Sequence, residues 1–230
     1  MHFSSANWQQ IEAYLQNDDR CILPVGSTEQ HAYLSLSTDS ILAERISLDA
    51  ALPLGIPVLP TVNYGVTPLF MAYPGTITIR PQVMIELVND ILDSLARHGF
   101  KRVLIVNGHG GNIDFLNEVL LQSKSKNIQV KLHHWWKAPL TMQKVLETDP
   151  VASHASWMEN FPWTRIGNVQ QPAHQKEAVD IVKLKTLSPE DARMLLGDGN
   201  YAGFYQKPDA EMLEIWHVAV NETRALLENW

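Results

Sequence analysis

Short apolar runs separated by helix-patterned segments predict an α/β protein, a three-layer α/β/α sandwich around a largely parallel central sheet. Three observations carry this expectation. Cys21 to Val25 and Val103 to Val106 are apolar throughout, as strands are when helices cover both faces of a sheet. Each runs into a loop rich in polar residues or glycine and then into a segment of helical period. Strand and helix patterns alternate along the chain, the order that builds layered domains with helices on both sheet faces.

Taken in order, Ser5 is placed to cap a first helix carrying Trp8, Ile11 and Leu15 on one face. Cys21 to Val25 reads as the first strand and Ser40 to Leu48 as a helix, with Glu29, His31 and Asp39 in the loop between them. Ile56 to Leu59 reads as a second strand ending at Pro60. Tyr64 to Tyr73 is a loop closed by the turn signal Pro74-Gly75-Thr76, and Ile77 and Ile79 suit a short strand edge. Pro81 to His98 has proline at the first helical position, glycine just past the end, and Val83, Leu87, Ile91 and Leu95 on one stripe. Val103 to Val106 is a strand, Ile113 to Ser123 a helix, Ile128 to Leu132 a strand and Thr141 to Leu146 a helix. Val179 to Leu184 is expected as a late strand, Ser188-Pro189 opens a short helix, and Pro208 to Leu227 forms the last one.

The chain of 230 residues has 45% hydrophobic and 19% charged residues, an ordinary balance for one globular domain spanning 1–230. A net charge of -7 argues against a nucleic-acid surface. No apolar run approaches the ~20 residues that cross a bilayer, so no membrane partner is expected. The N-terminus lacks a basic region followed by an apolar stretch, and the one cysteine, Cys21, sits in an apolar run. These point to a reducing, cytoplasmic location.

Chemistry concentrates in three places. Glu29, His31 and Asp39 leave the carboxyl end of a strand, where open α/β sheets build ligand sites, and offer oxygen and nitrogen donors that suit zinc, manganese or iron. A polar surface loop is the competing reading. Asn107-Gly108-His109-Gly110-Gly111-Asn112 again follows a strand. Metal ligation by His109 ranks above phosphate binding, because the spacing fits neither the dinucleotide fingerprint nor the P-loop. In the third, Ser153 to Glu159, Glu159 can act as a ligand and His154 as a free acid or base near neutrality. An amphipathic segment with exposed polar residues is the alternative. His133, His134, Trp135 and Trp136 read mainly as core or subunit contact.

Glu29-Gln30-His31 with Thr38-Asp39, Asn107 to Asn112, and His154 with Glu159 together resemble the creatininase (creatinine amidohydrolase) family. Tyr73-Pro74-Gly75-Thr76 and Gly99-Phe100 add to the resemblance, which covers roughly Ile22 to Glu159. It implies two divalent metals per chain bridged by a carboxylate, hydrolysis of C–N amide bonds in small cyclic amides, formamides or peptides, and a homo-oligomer, often a hexamer. Carried over, Glu29 and His109 would hold one metal, His31 the other, Asp39 would bridge, and Glu159 would complete the second site. His154 matches the family histidine of proton transfer, and Tyr73, Gly110 and Trp157 are assigned to substrate contact. The chain departs from the family at Ala32-Tyr33-Leu34-Ser35, at Gly111, where creatininase proper has glutamate, and at Asn160-Phe161. A catalytically degenerate binding or assembly protein is the alternative that these departures motivate.

Overall fold

The computed structural model describes residues 1–230. Its sheet has three parallel strands in the order β1 (Arg20–Val25), β2 (Arg102–Asn107), β3 (Gln129–His134). Register pairs Val25 with Asn107 and Asn107 with His134, so the carboxyl ends of all three strands finish level. The helices are α1 (Trp8–Leu15), α2 (Thr38–Ala51), α3 (Pro81–His98), α4 (Ile113–Ser123), α5 (Pro139–Thr148), α6 (Ile181–Leu184), α7 (Pro189–Leu196) and α8 (Asp209–Glu228).

Strand side chains alternate between faces, and the two sets feed two cores. Ile22, Leu104 and Val106 join Leu42 and Ile46 of α2, Val145 of α5 and Met212, Ile215 and Trp216 of α8. Cys21, Leu23, Val25, Val103 and Ile105 join Met84, Val88 and Leu92 of α3 and Leu116 and Val119 of α4, with α1 packed alongside. This is the three-layer arrangement that the strand–helix alternation predicts.

Several elements differ from expectation, each for a local reason. The first helix is capped by Asn7, not Ser5: Gln10 N–H donates to Asn7 Oδ1 (3.0 Å) and Asn7 N–H to Gln10 Oε1 (2.9 Å). Trp8 is 69% exposed and off the packed face. Ile56 to Leu59 is no full strand. It touches β1 through Ile22 N–H to Pro57 O (3.0 Å) and Leu59 N–H to Ile22 O (2.9 Å), and Pro57 and Pro60 lack the N–H groups that a continuous ladder needs. Val179 to Leu184 is not a strand either. Asp180 accepts from Lys183 N–H (3.0 Å) and caps the short helix α6. Helix α2 starts two residues earlier than the pattern suggests, which puts Asp39 in a helical first turn instead of a loop.

Two glycines let the backbones meet. A Cβ at Gly26 would lie 2.5 Å from the Ser40 backbone, and one at Gly108 would lie 2.2 Å from Asp39 O. The loop after β2 therefore rests directly on the start of α2. Gly108→Ala is expected to destabilise the metal-free protein by about 1–3 kcal/mol, the usual cost of forcing bulk into a close contact. Denaturant unfolding in chelator measures it, and an unchanged midpoint would show that this contact yields freely.

Candidate active site

The three stretches singled out by sequence converge at the carboxyl ends of β1 and β2. Glu29, His31, Asp39 and His109 are buried, and Glu159 and His154 are partly so. Asp39 lies at the centre. Its Oδ1 is 3.0 Å from His31 Nε2, and its Oδ2 is 2.8 Å from His109 Nδ1 and accepts from Ser27 Oγ (2.8 Å). Glu29 Oε1 is 3.3 Å from His109 Nδ1, and Glu159 Oε2 is 3.8 Å from His31 Nε2. The donor atoms thus form two groups able to hold a cation, Glu29–Asp39–His109 and His31–Asp39–Glu159, with Asp39 common to both.

The outer nitrogens of both histidines face backbone carbonyls, which can only accept. His31 Nδ1 donates to Glu29 O (3.2 Å) and His109 Nε2 donates to Val66 O (3.1 Å). Each ring therefore turns its other nitrogen on the carboxylates, the arrangement produced in metal-binding histidines when a carbonyl accepts from the outer ring N–H. Val66 is itself fixed, its N–H donating to Asn112 Oδ1 (3.1 Å), while Asn112 Nδ2 donates to Gly26 O (2.9 Å). Asn107 holds the His109 backbone from both sides, accepting from its N–H (3.1 Å) and donating to its carbonyl (2.8 Å).

This cluster fits a divalent cation on its own geometry. Glu29 Oε2 is buried with no hydrogen-bond partner, and His31 Nε2, although 3.0 Å from Asp39 Oδ1, makes no well-aligned hydrogen bond, a costly state for polar atoms that a coordinated ion would relieve. Oxygen and imidazole donors together suit zinc or manganese. Without a cation, protons must carry the balancing charge. Burial alone would lower His31, but Asp39, Glu159 and Glu29 override it and raise it to about 10. Burial likewise opposes the charged form of His109, and Glu29 and Asp39 hold it well above the ordinary histidine value. The carboxyls separate. Burial raises Glu159 to about 7, with Asp39 and Glu29 adding to the shift and His31 and the Ala155 N–H opposing it. Asp39, although more deeply buried, is driven far below the usual carboxylate range by the two imidazoles.

His154 stands beside this cluster. Its ring stacks on Phe70 (4.9 Å between centroids, 17°) and lies against Tyr201 (4.8 Å) and His31 (4.6 Å). Its Nδ1 is 3.8 Å from Glu29 Oε1, and Gln30 Nε2 is 2.8 Å from its Nε2. Burial lowers its pKa to about 4, with His31 adding to the shift. Glu159 accepts from Ala155 N–H (2.6 Å), so the chain folds back between His154 and Glu159.

The residues assigned to substrate contact are placed differently. Gly110 is exposed next to His109. Tyr73 stands one ring back from His154, edge-on to Phe70, with its hydroxyl donating to Gly197 O (3.2 Å). Trp157 is corrected: it is fully buried in the α2–α8 core, its indole N–H donating to Val151 O (2.8 Å), and cannot meet a ligand. Trp135 is core as well, and Trp136 packs against it. Sequence reasoning missed Ser27, Phe70 and Tyr201 and gave Gln30 no role. Gln30 lay inside a quoted motif, whereas nothing local to Phe70 or Tyr201 marks them. At Gly111 a Cβ would lie 2.2 Å from Val66 O and 2.4 Å from His109 Nε2, so no glutamate fits there, and Glu159 supplies the carboxylate instead.

A parallel α/β/α sandwich with a buried carboxylate–imidazole cluster at its strand ends defines the class of metal-site α/β proteins. Comparison narrows it. The family model Creatininase, described as creatinine amidohydrolase, matches residues 4–196, and the chain belongs to this family. It is 28% identical over 132 residues to 3-dehydro-scyllo-inosose hydrolase of Thermotoga maritima (56% of this chain, 42% of that one). It is 32% identical over 119 residues to creatinine amidohydrolase of Pseudomonas putida (48% and 45%). It is 35% identical over 102 residues to mycofactocin precursor peptide peptidase of Mycolicibacterium smegmatis (41% and 41%). The matches span less than half the length of these relatives. Solved creatininases share the fold: one superposes with a TM-score of 0.77 at 20% identity, covering 99% of this chain and 96% of its own. A structure described as creatininase Mn gives 0.77 at 19% identity, with 99% and 97% covered.

The histidine protons generate a pH test on metal-free protein. The folded pKa of His31, about 10, lies above its unfolded value of about 6.5. Its stabilisation is complete below pH ~6.5 and is lost as pH rises toward 10. Unfolding free energy in chelator is expected to fall across that window, and a smaller fall in His31→Gln assigns it. Stability independent of pH there would contradict the charge balance.

Proposed function

We propose that this chain is a metal-dependent amidohydrolase that cleaves a C–N amide bond in a small cyclic amide, formamide or peptide, using two divalent cations. The observation that carries the reading is the pair of ligand groups joined at Asp39. Glu29, Asp39 and His109 would hold one cation, and His31, Asp39 and Glu159 the other, with one Asp39 oxygen turned toward each histidine. Cations bound there would lower the pKa of a water and polarise an amide carbonyl. The names of two relatives, an amidohydrolase and a peptidase, support an amide as substrate.

The chain's own residues supply positioning and protons. An amide nitrogen leaves poorly until protonated, and His154, at the edge of the ligand cluster, would give it a proton once the ring has itself taken one up, since at rest burial keeps the ring neutral. Phe70 and Tyr201 hold its ring and keep bulk water from it. Burial keeps the Tyr201 hydroxyl in its neutral form, with Glu29 and Glu159 adding to the effect, so it can donate a hydrogen bond to substrate. Gly110 offers exposed backbone beside His109, and Tyr73 acts from behind Phe70.

Chelator-stripped protein reloaded with zinc or manganese is to be screened on lactams, formamides and short peptides for amine release. Turnover is expected to vanish on stripping and return on reloading, and activity that survives chelation would end the proposal. His154→Ala should lower kcat by about 10²–10⁴ with metal content unchanged, and His109→Ala should lose metal. Less than one metal per chain after careful loading would favour the binding or assembly role instead.

A further inference from the structure

Gln30 is 4% exposed and spends its whole side-chain amide on the site. Its Oε1 accepts from Ala32 N–H (3.1 Å), and its Nε2 donates to Gly199 O (3.2 Å). A backbone donor at one end and a backbone acceptor at the other fix which end is oxygen and which is nitrogen, because the flipped amide would face like against like at both. The remaining N–H of Nε2 points at His154 Nε2, 2.8 Å away. That ring nitrogen must therefore accept. A neutral imidazole that accepts at Nε2 carries its one proton on Nδ1, and Nδ1 is the nitrogen facing Glu29 Oε1 at 3.8 Å.

We infer that Gln30 is a positioning residue whose amide fixes His154 as the Nδ1–H tautomer, turning the ring's single proton toward the ligand cluster and keeping the ring out of the ligand set. The second consequence decides a geometric ambiguity. Glu29, His31 and His154 also lie close enough to form a third ligand group. Coordination through Nδ1 would need a lone pair there and a proton on Nε2, where Gln30 already donates. His154 is thereby kept out of the ligand set with its ring N–H facing the cluster, while His31 and His109, whose outer nitrogens meet carbonyls, are set up to ligate.

The surroundings are built to hold this amide. Gly199 adopts φ +103°, and a Cβ there would lie 1.7 Å from Gln30 Oε1, so only glycine lets the loop close over it. Ala32, whose N–H donates to Oε1, takes φ +50°, a left-handed conformation that residues other than glycine disfavour. The Gln30 N–H donates to Thr76 Oγ1 (3.1 Å), tying the backbone to the Pro74–Thr76 turn.

Only the kinetic arm of the test rests on the amidohydrolase reading. In ¹⁵N-labelled protein, zinc-loaded and metal-free, the His154 ring signals are identified by their loss in His154→Asn. Long-range ¹H–¹⁵N correlations should show a pyrrole-type Nδ1 and a pyridine-type Nε2. Gln30→Met, which keeps the length but removes the donor, should give a mixture of tautomers. Gln30→Glu, which presents an acceptor, should move the proton to Nε2. An Nε2–H ring in the wild type, or a ring unmoved in Gln30→Met, would overturn the inference, and the wild-type spectrum decides even if a variant fails to fold. On an amide found by the screen, Gln30→Met should lose about tenfold or more in kcat with KM little changed. Should no amide be turned over, the function reading fails while the tautomer result stands.

Discussion

Three carboxylates and the inward nitrogens of two imidazoles share one buried space, and such a group cannot persist without positive charge at its centre. Protons or cations must supply it. The carbonyls of Glu29 and Val66 settle how it is supplied, because they claim the outer nitrogens and leave the inner ones to face the carboxylates. Asp39 takes the largest share of that charge, flanked by two imidazoles and the Ser27 hydroxyl, and Glu159 the least. Burial pushes both upward, and the contrast between them follows from their partners, two imidazoles for Asp39 and one for Glu159.

The fold serves this charge balance by bringing backbones together. Parallel strands in level register end side by side, so the loops after β1 and β2 start from adjacent points. Glycine at 26 and 108 then allows those loops to lie against the start of α2 at distances that a side chain would forbid. Glycine at 111 has the opposite effect on chemistry: it excludes a ligand from the second loop, and a carboxylate from a remote segment, Glu159, enters in its place.

The layers and most helices were legible in the sequence because burial on both sheet faces leaves an apolar run, and amphipathic burial leaves a helical period. The members of the buried cluster were legible because loops at strand ends displayed Glu29, His31, Asp39 and His109 in compact motifs. What escaped was set by partners far along the chain. Proline at 57 and 60 broke a strand whose apolar pattern was sound, and Asp180 capped a helix where Val179 to Leu184 had the composition of a strand. Phe70 and Tyr201 meet His154 from segments with no common spacing, and Trp157 shares its neighbourhood in sequence while its side chain points into the core.

Asp39 sits on the first turn of α2, and the same helix sends Leu42 and Ile46 into the core that α8 closes. The central donor of the site thus has no hinge of its own. Opening the cage around it means lifting a helix off the sheet, so the donors are held in place by the same cooperativity that holds the protein folded, and a cation arriving there meets a socket already formed.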